Sequence, residues 1–140
     1  MSWLKPDFRY KYPHLLASDH AIWERFLHKY PTYFDLVDYD VHVGVGITPD
    51  PTWTPEISKM ATTLTQRRID VIAIKDQKYY IIEIKEDPGV SSIGQLLGYR
   101  VLFCKDYPDV SIPALVLISN RIDNDLLEIL DTYAIQYFIV

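Results

Sequence analysis

Cysteine is almost missing from this sequence, and its one thiol, Cys104, cannot form a disulfide within the chain. Long apolar runs are missing too, since no stretch approaches the roughly 18 residues that span a bilayer. The first residues, MSWLKPDFRYKYPHLL, carry charges and prolines where a signal peptide has its apolar segment. These absences predict a soluble, cytoplasmic protein with no membrane contact, in which Cys104 is a small core hydrophobe.

A surplus of basic residues is also missing. The chain has 14 lysines and arginines against 19 aspartates and glutamates, and its formal net charge is -5. Nucleic-acid-binding proteins usually carry a basic surplus, so the composition by itself does not favour that class. What the sequence does have is a length of 140 residues and 49% hydrophobic residues, which suits one domain with a substantial core.

Prolines and hydrophobic periodicity divide the first half of the chain. Residues 1–17 are aromatic-rich and broken by prolines, which predicts an irregular N-terminal arm before a single domain at 18–140. A helix capped by Ser18 or Asp19 comes next and ends before Pro31. Alternation then predicts a strand over 36–47, while residues 57–64 fit either a helix or a strand.

The second half begins with a predicted hairpin. Two β-branched runs, 69–75 and 78–85, flank the polar turn KDQK. The elements predicted after it are a helix at 93–107, a strand at 113–119, a helix at 123–133 and a strand at 135–140. This order predicts an α/β fold with a mixed central sheet and helices on both faces.

The hairpin carries charges that a buried strand seldom holds. Glu83 and Lys85 are two residues apart and therefore share one face of their strand. Antiparallel pairing brings Asp70, at the start of the other strand, beside them. Two converging carboxylates repel each other unless a cation lies between them, and such oxygen ligands suit Mg²⁺ or Mn²⁺. A lysine beside that cation can help to deprotonate an attacking water, as phosphodiester hydrolysis requires.

Each of these residues also has an ordinary structural explanation. Asp70 can pair with Arg67 or Arg68 in a surface ion pair. Glu83 and Lys85 can form a solvated strip on an edge strand. Their combination in register across one hairpin favours a site over these alternatives.

The ID of residues 69–70, followed by EIK at 83–85, resembles the PD-(D/E)XK nuclease superfamily, as does the predicted element order. QLLGY at 95–99 is similar to the QxxxY element of its RecB-type exonuclease branch. The resemblance runs from about residue 18 onward and implies a restriction-endonuclease-like αβββαβ core. It also implies an Mg²⁺- or Mn²⁺-dependent deoxyribonuclease that leaves 5′-phosphate and 3′-hydroxyl ends, either an exonuclease or a structure-specific endonuclease. Ile69 replaces the proline of the family name.

The resemblance implies roles for the matched residues of the hairpin. Asp70 and Glu83 would be metal ligands, together with the main-chain carbonyl of Ile84. Lys85 would be the catalytic lysine.

The two predicted helices beside the hairpin are expected to add residues to this site. Gln95 would orient the catalytic groups, and Tyr99 would contact the DNA. Family members often add an acid from the first helix, for which Glu24 is placed, and RecB-like members add a histidine, for which His20 lies one turn earlier. Basic side chains near these elements would bind DNA phosphates despite the acidic net charge, namely Arg67, Arg68 and Arg100.

Two glycines interrupt the helix that carries Gln95. Gly94 and Gly98 would each cost about 1 kcal/mol there relative to alanine. Close packing against the sheet is one explanation, and room for a substrate backbone is the other.

A nuclease of this size would lack a separate recognition domain, so a homodimer or a partner protein would supply its specificity. Small members of the family occur among phage and archaeal DNA repair and recombination proteins, including dimeric Holliday junction resolvases. The alternative function is a non-catalytic protein of the same fold, which assembles with proteins or nucleic acid. The intact set of Asp70, Glu83 and Lys85 argues against that alternative.

Overall fold

The computed structural model describes residues 1–9, 11–13 and 15–140. Its elements in chain order are α1 (Ala17–Lys29), β1 (Leu36–Val43), α2 (Pro55–Thr65), β2 (Arg67–Lys75), β3 (Lys78–Lys85), α3 (Ser91–Asp106), β4 (Ala114–Ser119), α4 (Asn124–Thr132) and β5 (Gln136–Ile139). The predicted α/β fold is confirmed. In the described ranges, no helix is both long and apolar enough to cross a bilayer.

The five strands form one mixed sheet in the order β1-β2-β3-β4-β5. The first three strands are antiparallel, and β3, β4 and β5 are parallel. The β2–β3 turn is tight because Asp76 and Gln77 both take positive φ, 49° and 65°, as a type I′ hairpin turn requires. The parallel pairs are joined by α3 and α4, which supply the long crossovers that parallel pairing needs.

The sheet separates two apolar cores because successive strand residues face opposite sides. Ile81 of β3 packs with the side chains of α3 and α4 on one face. Ile82 packs with Trp23 and Phe26 of α1 on the other face. The helices therefore cover both faces, as predicted, and the four buried residues of β3 lie beneath them.

The N-terminal arm is tied to β1, where Ser2 N–H donates a 2.9 Å hydrogen bond to Asp38 Oδ2. Leu4 and Val37 exchange two main-chain hydrogen bonds of 2.8 Å, which covers part of the β1 edge. Helix α1 then begins at Ala17, with Leu16 as its N-cap residue and no side-chain cap. The prediction that Ser18 or Asp19 caps this helix is wrong, since both lie inside its first turn.

Residues 57–64, whose sequence fits either a helix or a strand, belong to helix α2. Thr54 caps α2, because its Oγ1 accepts a 3.2 Å hydrogen bond from Ile57 N–H, and a proline follows at the first helical position. Strand β1 ends at Val43 rather than near residue 47. The loop beyond it holds Gly46 at φ 69°, where a Cβ would lie 2.6 Å from Thr65 Oγ1.

Candidate active site

The candidate site lies where β2 and β3 stop pairing. From their turn, the two strands pair as far as Val71 and Ile82. Beyond that point β2 continues along β1 and β3 continues along β4, so Asp70 and Glu83 lie at an opening between the strands. Asp70 Oδ2 accepts a 2.9 Å hydrogen bond from Ile84 N–H across this opening. The geometry thus brings together the two acids that the hairpin register predicts.

Both acids are held largely away from water. Glu83 is 6% exposed. Its pKa is raised to about 9, first by burial and then by the charges of Asp70 and Asp19, against the opposing charge of Lys85. The pKa of Asp70 is raised to about 7, again mainly by burial, although the Ile84 N–H favours the ionised form. A cation between the two carboxyl groups would favour their charged forms.

One oxygen of this pair is left without a partner. Glu83 Oε2 is buried and has no hydrogen bond to the residues that the structure describes. A buried acceptor without a partner loses its hydrogen bonds to water when the protein folds. This loss lowers the free energy of unfolding by about 1–3 kcal/mol, and by more if the group is charged. Lys85 is exposed at the end of β3, and its charge lowers the pKa of both Asp70 and Glu83. The lysine therefore lies on the water-facing side of the pair.

A third acid near the site, Asp19, was not predicted as a site residue. It is 8% exposed, its carboxylate accepts a 3.3 Å hydrogen bond from Glu86 N–H, and burial raises its pKa. Its charge contributes to the raised pKa values of Asp70 and Glu83. The buried residues of α1 follow helical spacing and are Asp19, Ile22, Trp23, Phe26 and Leu27. An aspartate in an otherwise apolar stripe is a sequence signal that could have identified it.

The structure does not bring His20 and Glu24 to this pair. They lie beside the buried stripe of α1 and contact each other, with His20 Nε2 2.5 Å from Glu24 Oε1. The His20 ring also packs edge-on against Tyr12. Within the described ranges, neither side chain forms a hydrogen bond or ion pair with Asp70 or Glu83. The acid that α1 places at the site is Asp19.

Helix α3 forms a cleft next to the acids, which we call the α3 cleft. Its volume is about 400 Å³. Its lining residues are Arg67, Ser91, Gly94, Gln95, Gly98, Tyr99 and Leu102. Gln95 is exposed in this cleft, and Tyr99, four residues later, lies on the same side of the helix. The cleft therefore contains the two QxxxY residues.

Tyr99 connects the cleft to the acids. Its side chain is 9% exposed. The pKa of its hydroxyl is raised first by burial and then by the charges of Glu83 and Asp70, while Arg67 opposes these effects. A hydroxyl in this field stays protonated at neutral pH and can donate a hydrogen bond.

The three predicted DNA-binding arginines occupy different environments. Arg67 is exposed and lines the α3 cleft. Arg68 makes two hydrogen bonds to Asp40, 2.7 Å from Nε and 2.6 Å from Nη2, so its guanidinium is already engaged. Arg100 is half-buried on α3, outside the cleft lining. Of the three, Arg67 is the one placed beside Tyr99.

The donor set fits a hard divalent cation. Within the described ranges, no three His, Cys, Asp or Glu side chains form a group that could hold a metal ion. Mg²⁺ nevertheless commonly takes one or two carboxylates and completes its coordination with waters and substrate phosphates. The paired carboxyls of Asp70 and Glu83, with Glu83 Oε2 unsatisfied, match that pattern. The main-chain carbonyl of Ile84 is a further oxygen on the same part of β3.

Comparison with known proteins supports the fold of this chain but indicates no activity. No protein-family model and no curated protein matches the chain. Among solved structures, it is similar to the crystal structure of a protein of unknown function, AF1548, with a TM-score of 0.50 and 13% sequence identity. The match covers 86% of this chain and 56% of that protein, so the chain spans just over half of its length. Such a likeness supports the α/β architecture alone.

Proposed function

We propose that this protein is an Mg²⁺- or Mn²⁺-dependent nuclease of the PD-(D/E)XK type, which hydrolyses phosphodiester bonds in DNA to 5′-phosphate and 3′-hydroxyl ends. The observation that carries the proposal is the pair of half-buried Asp70 and buried Glu83 at the strand opening, with Glu83 Oε2 unsatisfied in the described part of the chain. Buried acids with a purely structural role normally have hydrogen-bond donors or a cationic partner. A cation-binding role explains why this pair is incomplete.

Asp70 and Glu83 would hold the cation, together with the carbonyl of Ile84. When bound, the cation supplies an activated water and neutralises charge that develops on the phosphate. The acids bind it only when ionised, and their raised pKa values mean that cation binding releases protons near neutral pH. Burial strengthens their attraction for the cation because the local dielectric constant is low.

Lys85 would act on the attacking water. It shares a strand face with Glu83 but is exposed, so its ammonium group reaches solvent next to the acids. From there it can orient the water by hydrogen bonding and offset the added negative charge on the phosphate in the transition state.

Two residues of α3 would position the substrate. The protonated Tyr99 hydroxyl is a donor for a phosphate oxygen beside the acids. Gln95 is exposed in the α3 cleft, where its amide can donate and accept hydrogen bonds without adding charge. Both assignments agree with the roles that the family resemblance implies.

The test is Mn²⁺ binding by calorimetry, combined with cleavage of linear and branched DNA. Asp70→Asn and Glu83→Gln keep the shape of each side chain and remove its charge, so both are expected to lose Mn²⁺ binding while remaining folded. Glu56→Gln, an exposed acid on α2, is the matched control and should bind as the wild type does. Wild-type protein that neither binds Mn²⁺ at about 1 mM nor cleaves DNA would refute the proposal and favour the non-catalytic assembly protein.

A further inference from the structure

We propose that the α3 cleft binds one strand of the DNA beside the cleavage point, with the sugar-phosphate backbone lying against the main chain of α3 at Gly94 and Gly98. This inference rests on the proposed nuclease function. It assigns a binding role to Arg67 and to the two glycines, and it names the substrate element that they contact.

Packing does not explain the two glycines. A Cβ built at Gly94 or at Gly98 would meet no other atom within 4 Å. Neither glycine is needed for a close approach to the sheet, which was one of the two explanations open from the sequence. A glycine inside a helix destabilises it relative to alanine. Both glycines line the α3 cleft, where a missing Cβ exposes the helix main chain to a ligand.

A tyrosine hydroxyl in the cleft is a second feature that suits an anionic ligand. Tyr99 is 9% exposed and lines the same cleft. Its hydroxyl makes no hydrogen bond with any residue in the described part of the chain. A phenol hydroxyl is a hydrogen-bond donor at neutral pH. A phosphate oxygen in the cleft would satisfy it.

Arg67 gives the cleft its positive charge. The side chain is exposed, and among the described residues it forms no ion pair. Arg67 and Tyr99 line the same cleft, so one ligand there can contact both side chains. The neighbouring Arg68 donates two hydrogen bonds to Asp40, so these donors are not available to bind a phosphate. One cation and one hydroxyl donor together suit a phosphodiester.

The size of the cleft favours a single strand. Its volume of about 400 Å³ lies near the lower end of ligand pockets, which run from roughly 300 to 1,000 Å³. That space takes about one nucleotide of a strand. The strand would pass over Gly94 and Gly98 and reach the acids beside Tyr99.

The experiment measures the Kd of a fluorescein-labelled single-stranded DNA of roughly 12 nucleotides by anisotropy. Mn²⁺ is present, and every protein carries Lys85→Ala so that the DNA stays intact. Gly94→Leu and Gly98→Leu fill the cleft and are expected to raise the Kd by about tenfold or more. Both should also raise the melting temperature by about 2–5 °C, because leucine is the better helix former. Weaker DNA binding together with a higher melting temperature excludes misfolding as the cause of the weaker binding.

Gly89→Leu is the matched control. Gly89 lies in the loop before α3, has equally open space at its Cβ position, and is not part of the cleft lining. Its variant should bind as tightly as the Lys85→Ala parent. An unchanged Kd for both α3 variants would overturn the cleft assignment, while Mn²⁺-dependent cleavage by the wild type would still uphold the nuclease. Wild-type protein without cleavage and a parent without binding would overturn both proposals.

Discussion

Two groups of charged side chains lie on neighbouring strands of this sheet, and the acids in them are neutralised in different ways. Asp40 on β1 receives two hydrogen bonds from Arg68, and His42 Nε2 lies 3.6 Å from its Oδ2. Asp70 and Glu83 share the strand opening, where one main-chain N–H bonds to Asp70 and Glu83 Oε2 has no partner in the described ranges. The first group is complete within the protein, whereas the second is not, and under the proposed function a bound cation would complete it. Incomplete neutralisation, rather than the number of acids, distinguishes the candidate site from a structural ion pair.

The largest expected effect comes from removing the cationic side chain of the incomplete group. Lys85→Ala should lower the rate of Mn²⁺-dependent DNA cleavage by about 10²–10⁴-fold, because the attacking water loses the group that orients it. Lys78→Ala, at the opposite end of β3 and equally exposed, is the control and should cleave at the wild-type rate. Equal rates for the two variants would remove Lys85 from the mechanism.

The second prediction concerns pH and the metal-free protein. An unfolded glutamate ionises near 4.5, while folded Glu83 keeps its proton up to about 9. Between these values the folded state binds the extra proton, so the free energy of unfolding falls by about 1.4 kcal/mol per pH unit for this group. Asp70, with its pKa raised to about 7, changes stability in the same direction up to neutral pH. The metal-free protein should therefore lose stability as the pH rises from about 5 to about 9.

Glu83→Gln tests this pH dependence by urea unfolding in a chelator. Near pH 8 the variant should be more stable than the wild type by about 5 kcal/mol, because ionisation of Glu83 stabilises the unfolded wild type and a glutamine cannot ionise. Exposed Glu86 supplies the control, since Glu86→Gln should follow the wild-type curve. Mn²⁺ should restore stability to the wild type and have no such effect on Glu83→Gln. A wild-type stability that stays flat over this pH range would contradict the burial of an uncompensated acid.

The third prediction is a loss of stability instead of a gain, and it concerns the complete group around Asp40. Arg68→Ala leaves the Asp40 carboxylate without its two charged hydrogen bonds and should destabilise the protein by about 1 kcal/mol. Arg67→Ala, next to it but in the cleft, should leave the free energy of unfolding unchanged. Urea unfolding of both variants at neutral pH measures the difference. If Arg67→Ala were the more destabilising variant, the assignment of the two arginines would have to be reversed.

The smallest expected effect identifies which acid of α1 belongs to the incomplete group. Asp19→Asn should lower the pKa of Glu83 by a fraction of a unit, because one of the charges that raise it is removed. Glu24→Gln should leave the pKa of Glu83 unchanged, since Glu24 contacts His20 instead. A carboxyl-carbon NMR titration of the metal-free protein measures both values. An effect of Glu24→Gln as large as that of Asp19→Asn would place Glu24 at the site after all.

Most of the fold follows from local pattern. The β-branched runs and polar turn of the hairpin predict its register, and that register is enough to bring Asp70 towards Glu83. The sequence predicts that Asp70 and Glu83 approach each other, but it does not predict that β2 and β3 separate at these two residues. The strands separate because β2 continues to pair with β1 while β3 continues to pair with β4. Which neighbour a strand pairs with depends on the whole sheet and not on the local sequence.

Two parts of the site depend on structure that local patterns do not specify. Helix α1 begins without a side-chain cap, so a search for capping residues assigns Asp19 to the helix end instead of its buried face. The pairing of Arg68 with Asp40 accompanies a φ of 54° at Asp40, a conformation that is uncommon outside glycine. The strand pairs of β1 and β2 skip this residue, and alternation along a strand predicts no such break.

The hydrogen bond from Ile84 N–H to Asp70 Oδ2 has a practical consequence. Because the acceptor is a side chain that changes charge, the amide proton of Ile84 senses every event at the carboxyl group. Its NMR frequency and its exchange with solvent deuterium should change when Asp70 ionises and again when a cation arrives. The backbone thus contains its own spectroscopic reporter, which would register a cation in the strand opening without substrate or turnover.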